Sequence, residues 1–184
     1  MPKTTGAAIS LLVLLAHCAS SQVFGDPPAG SEAQVVGIDC NTFGRVAMEF
    51  LNRRGMKVAN DWSCGGGARC IVTKNAAPQK ADGKALNRNE IVRDYLKESE
   101  RTDIRTKFQG YGFWELPSRN FDMGARLRLE QKASGCDVKL SLNFGISYTQ
   151  FLIILPFELY GDSFESNGRL EAEYIAAIQR ELAR

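Results

Sequence analysis

Phe121-Asp122-Met123-Gly124-Ala125-Arg126-Leu127-Arg128-Leu129-Glu130, followed after a short turn by Val138-Lys139-Leu140-Ser141-Leu142-Asn143-Phe144-Gly145-Ile146-Ser147-Tyr148, decides the fold class. In both segments apolar side chains alternate with polar ones over ten or more residues, the period of a strand with one buried face. A two-residue turn at Ser134-Gly135 would set Leu129 opposite Leu140, Leu127 opposite Leu142, Met123 opposite Ile146 and Glu130 opposite Lys139. Pattern and charge agree on this one register, and a slip by a single residue would put apolar against polar throughout, so the register is expected to be firmly set.

The sheet needs a cover, and the flanking sequence supplies one. Phe43, Val46, Ala47, Phe50 and Leu51 recur at helical spacing, with Asp39 and Asn41 as candidate caps, Arg53 and Arg54 at the negative end and Gly55 to stop the helix. Near the end of the chain Leu170, Tyr174, Ile178 and Leu182 recur every four residues with Ile175 beside them, a stripe that Asn167 or Ser166 can cap. A third helix is expected from Asn87 to about Ser99, because Asn87 and Glu90 form a capping box before Ile91, Val92, Tyr95 and Leu96. Met56 to Trp62 and Arg69 to Lys74 read as two strands joined by a glycine turn, and Asn75 to Asn87 as an exposed loop. Phe151 to Leu155 reads as one buried strand ending at Pro156. The expected fold class is α+β, a two-layer sandwich in which an antiparallel sheet of about 4–5 strands packs against about three helices, one of them C-terminal.

The chain of 184 residues contains one histidine, His17, and it lies in an expected export signal. Lys3, the apolar run Ala7 to Ala16 and the small residues Ala19 and Ser20 define that signal over residues 1–20. A second reading makes it a lipoprotein signal in which Leu15-Ala16-His17-Cys18 presents Cys18 for lipidation, although His17 stands where that motif has a small residue. Residues 21–34 read as a flexible tether rich in Ser, Pro and Gly, and residues 35–184 as a single domain. Loss of the signal leaves 164 residues with 22 basic and 21 acidic side chains, and that balance offers no electrostatic footprint for nucleic acid.

Cys40, Cys64, Cys70 and Cys136 remain, an even number that favours disulfides in an exported chain. Three pairings are open. The glycines between Cys64 and Cys70 favour a local bridge there, leaving Cys40 to Cys136 as the long one, with contributions of about 2 and about 4–5 kcal/mol on the chain-entropy model. The spacing is a poor match to a zinc site, which brings cysteines in close pairs.

Without imidazole in the mature chain, Ser-His-Asp and Cys-His catalysis and histidine metal ligation are excluded. Gly161-Asp162-Ser163 matches three positions of the GDSL-type nucleophile block, but no histidine follows it, and it is expected in a turn. Asp39, Asn41 and Gly44 imitate part of a calcium loop, yet Phe50 stands at its twelfth position. Gly65 to Gly67 lack the Lys-Ser/Thr of a phosphate loop. No cofactor or metal is expected. Glu115 beside Trp114 is the one candidate for an acid with a raised pKa, and Tyr111 with Trp114 forms a candidate ligand or partner surface. Three functional readings follow. The first is an exported, non-catalytic envelope or periplasmic protein that binds another envelope protein, touching the membrane only through a lipid at Cys18. The second is a carrier of a small apolar ligand in a cavity between sheet and helix. The third is a histidine-free, carboxylate-dependent hydrolase.

Overall fold

A computed structural model of the chain describes residues 32–102, 120–152 and 155–184. It shows the α+β class: one antiparallel sheet with helices on its apolar face. The elements in chain order are β1 (Glu32–Val36), α1 (Cys40–Arg53), β2 (Val58–Ser63), β3 (Ala68–Thr73), α2 (Arg88–Glu90, continuing as a π-helical turn over Ile91–Tyr95), β4 (Asn120–Lys132), β5 (Gly135–Leu152), β6 (Leu155–Glu165) and α3 (Arg169–Leu182). The sheet runs β2-β3-β4-β5, and the far side of β5 is shared by β1 over Gly135–Lys139 and β6 over Asn143–Leu152.

The sheet has six strands, more than expected, because β1 and β6 carry little local signal. β1 begins at Glu32, three residues before the expected start of order, and forms only by pairing with β5. The Phe151 to Leu155 run is not one strand: Leu152 pairs with Leu155, so β5 and β6 divide the run between them. No Gly, Asn or Asp marks that reversal, which is why the sequence conceals it. Gly161-Asp162-Ser163 is likewise not a turn but part of β6, at a register shift opposite Gly145 and Ser147.

The central hairpin keeps the expected parity, with Phe121, Met123, Ala125, Leu127, Leu129, Val138, Leu140, Leu142 and Phe144 buried. Its register differs by two residues. Lys132 pairs with Gly135, the turn residues are Ala133 and Ser134, and Leu129 faces Val138, Leu127 faces Leu140, Ala125 faces Leu142, Met123 faces Phe144 and Phe121 faces Ile146. Glu130 therefore faces Asp137, not Lys139. The charges find other partners: Glu130 pairs with Lys132 on its own strand, and Lys139 pairs with Glu32 of β1 at 2.5 Å. Gly135 belongs in the strand because β1 presses on it. At φ +144° a Cβ there would lie 2.1 Å from the Val35 carbonyl oxygen, so only glycine fits.

α1 forms where its apolar stripe predicts. The Asp39 carboxylate accepts from the Asn41 and Thr42 amides at 3.0 Å, and Phe43, Ala47, Phe50 and Leu51 are buried against the sheet. α2 ends at Tyr95, four residues short of the expected end. Leu96 turns extended and bridges to Ser166, while Asn167 donates its backbone N–H to the Tyr95 carbonyl, so a tertiary pairing wins over helix continuation. The cap of α3 is Gly168, not Asn167 or Ser166; those two side chains instead accept from the Arg169 and Gly168 amides at 3.0 and 3.2 Å. The expected exposed loop 75–87 is only partly exposed, because Ala81 and Leu86 enter the core and the Tyr174 hydroxyl donates to the Gln79 carbonyl at 3.0 Å.

Arg54 ties that loop to α1. Its guanidinium lies 3.4 Å from the Phe50 ring centroid and donates to the carbonyls of Phe50 and Ala81, and burial lowers its pKa. Arg54→Ala is expected to cost about 2 kcal/mol, through two lost charge-assisted hydrogen bonds and the stacked stem, measured by urea unfolding. A loss under a few tenths of a kcal/mol would show that the loop holds itself.

Candidate functional site

The disulfides are the first chemical feature of the fold. Cys40, the first residue of α1, is bonded to Cys136 at the start of β5, and both are buried. Cys64 is bonded to Cys70 across the β2–β3 turn, where Cys70 is buried and Cys64 partly exposed. Two disulfides in one fold indicate an oxidising, non-cytoplasmic compartment. No helix among the described residues is long and apolar enough to cross a membrane.

β2 is the end strand of the sheet, and five of its six residues are exposed. Trp62 stands 40% exposed on it; with Val36, it is one of two large exposed apolar side chains among the described residues. Buried tryptophan is the rule, so a tryptophan displayed beside a disulfide is a feature to explain. The strand is held firmly. Arg69 on β3 grips Asp61 with both arms, Nε to Oδ1 at 2.9 Å and Nη2 to Oδ2 at 2.6 Å, which lowers the Asp61 pKa and raises that of Arg69. At the turn, Gly65, Gly66 and Gly67 all have positive φ, +90°, +62° and +76°, a backbone that a Cβ would strain at every step. The turn is thereby drawn tight enough for the bridge.

A second surface feature lies on the sheet face away from the helices. Glu32, Gln34, Arg128, Glu130, Asp137 and Lys139 border a shallow depression of about 230 Å³. Lys139 pairs there with Glu32 and Arg128 lies 3.9 Å from Glu130, and Ala33 and Val138 complete the lining. Among the described residues no group of three or more His, Cys, Asp or Glu side chains converges as a metal site.

Of the sequence candidates, the structure brings together Cys40 with Cys136 and Cys64 with Cys70. Cys18, Tyr111, Trp114 and Glu115 lie outside the described residues. The buried carboxylate that the structure does show is Glu171 on α3, 0% exposed. Its Oε1 accepts from the Leu142 amide at 2.9 Å and its Oε2 from the Ser166 hydroxyl at 2.7 Å. Burial raises its pKa, and the two hydrogen bonds oppose that shift. The residue closes a seam. β1 and β6 leave Leu140 to Leu142 of β5 unpaired on one side, and the carboxylate takes the amide that a strand would otherwise serve. The sequence held a faint signal for it, since Glu171 stands four residues before Ile175 on the apolar side of α3.

Comparison with protein-family models, with curated proteins and with solved structures gives no match.

Proposed function

We propose that the protein is an exported, non-catalytic binding protein, and that β2 is the strand on which it receives an extended segment of another envelope protein. The observation that carries this reading is the exposed end strand displaying Trp62, stiffened by the Asp61–Arg69 pair and the Cys64–Cys70 bridge. A free strand edge offers main-chain hydrogen bonds to an incoming strand, and an edge held rigid beforehand loses little entropy on binding. Tryptophan is the side chain most often found at the energetic centre of such contacts. Export as a free protein or with a lipid on Cys18 both suit this role, and the intact mass of the native protein separates the two.

The test is a photo-crosslinking amino acid placed at position 62 in the native envelope, with position 45 on the exposed face of α1 as the comparison. A single recurrent protein adduct at 62, absent at 45, is the expected result. Trp62→Ser should then weaken that complex by roughly tenfold or more while leaving the thermal midpoint within about 2 °C, as befits a surface side chain. Equal labelling at both positions, or a stoichiometric apolar small molecule in an organic extract of the purified protein, would overturn the reading, and the second would establish a carrier.

A further inference from the structure

We infer that Cys64–Cys70 is a reducible bridge, and that its opening by a dithiol releases β2 from the sheet, making the binding edge redox-gated. The gating of binding rests on the reading of β2 given above; the selective reduction and strand release stand without it. Access distinguishes the two bridges. Cys40, the first residue of α1, and Cys136 are 8% and 0% exposed, so a thiolate has little access to that bridge while the fold is closed. Cys64 is partly exposed, and a Cβ added at Gly65, Gly66 or Gly67 would meet no atom within 4 Å, so the turn stands in open space.

The chemistry follows from that asymmetry. A thiolate of the incoming dithiol attacks the Cys64 sulfur, the bond to Cys70 breaks, and Cys70 leaves as a thiolate that takes up a proton. The second thiol of the reductant then attacks its own sulfur in the mixed disulfide and releases Cys64. The dithiol has lost two electrons and two protons, and the protein has gained both. The class of reactant is a protein dithiol oxidoreductase of the oxidising compartment, for which dithiothreitol is the probe.

β2 is the strand placed to respond. Only Val58 among its residues packs against the core, and β2 is otherwise held to the sheet by its pairing with β3 and by the exposed Asp61–Arg69 pair. Four of the six residues of β3 beside it are buried, Ala68, Cys70, Ile71 and Thr73, so loss of β2 alters the edge a partner meets without dissolving the sheet.

The native protein would be titrated with dithiothreitol, trapped with N-ethylmaleimide and mapped by peptide mass, with hydrogen exchange followed in parallel. Adducts are expected on Cys64 and Cys70 at concentrations at least tenfold below those that label Cys40 and Cys136, together with at least tenfold faster exchange over Val58–Ser63 and unchanged exchange over Phe121–Phe144. Labelling of all four cysteines together would overturn the proposal, as would opening of Cys64–Cys70 with unaltered exchange in β2. A Cys64→Ser, Cys70→Ser variant should show the fast exchange without reductant; should it fail to fold, the titration of the native protein still decides. Crosslinking at position 62 plays no part in these readouts, so failure of the edge as a binding site remains distinguishable from failure of the switch.

Discussion

Replacing Cys40 and Cys136 together by alanine is expected to cost about 4–5 kcal/mol and to lower the thermal midpoint by roughly 10–20 °C. The bridge closes a separation of 96 residues, the larger of the two loops, and so removes the most freedom from the unfolded chain. It also ties the start of α1 to the β4–β5 turn, where Gln131 Oε1 accepts from the Cys40 amide at 2.8 Å. Breaking the Cys64–Cys70 bridge, with a separation of six, should cost about 2 kcal/mol. Urea unfolding of both double variants checks the pair of values. Equal losses, or a greater loss from the short loop, would show that native-state contacts and not unfolded-chain entropy govern both bridges.

Glu171→Ala is expected to cost about 2–4 kcal/mol, since it leaves the Leu142 amide and the Ser166 hydroxyl buried without their acceptor and opens a void under α3. Glu171→Gln should be far milder, because the amide oxygen still accepts from Leu142 while the amide nitrogen can donate to Ser166. The native protein also differs from both variants in pH dependence, because only it carries the titrating carboxyl. Because the folded-state pKa of Glu171 is raised, the folded protein binds this proton more tightly than the unfolded chain. The stabilisation it gives is complete below the unfolded value and is lost as pH rises through the folded one. Relative to the native protein, Glu171→Gln should therefore gain stability as pH rises from about 4 to 7. Thermal unfolding across that range checks it. Parallel profiles for the native protein and Glu171→Gln would rule out a titrating buried carboxylate at the seam, and a glutamine variant as weak as the alanine one would show that a neutral amide does not replace it.

Elements whose signal is local were legible in the residues. The Phe43 to Leu51 stripe with Asp39 before it gives α1, the Asn87–Glu90 capping box starts α2, and alternation from Phe121 to Phe144 gives the buried face of β4 and β5. Trp62 and the Cys64–Cys70 turn could be placed at a hairpin tip, but not recognised as the exposed end of the sheet. That property depends on which strands lie beside β3, and β3's other neighbour, β4, begins almost fifty residues after it ends. The sequence candidates at Tyr111, Trp114 and Glu115 lie outside the described residues.

By itself the sequence determined the α+β class, the buried face of the central hairpin and the spans of α1 and α3, because hydrophobic period and capping chemistry act over a few residues. Tertiary structure alone decided the register of that hairpin, the recruitment of β1 and β6 and the role of Glu171. Alternation fixes the parity of a pairing but not shifts of two, and these were settled by Val35 closing on Gly135, by Glu32 reaching Lys139 and by a carboxylate filling the gap between two strands.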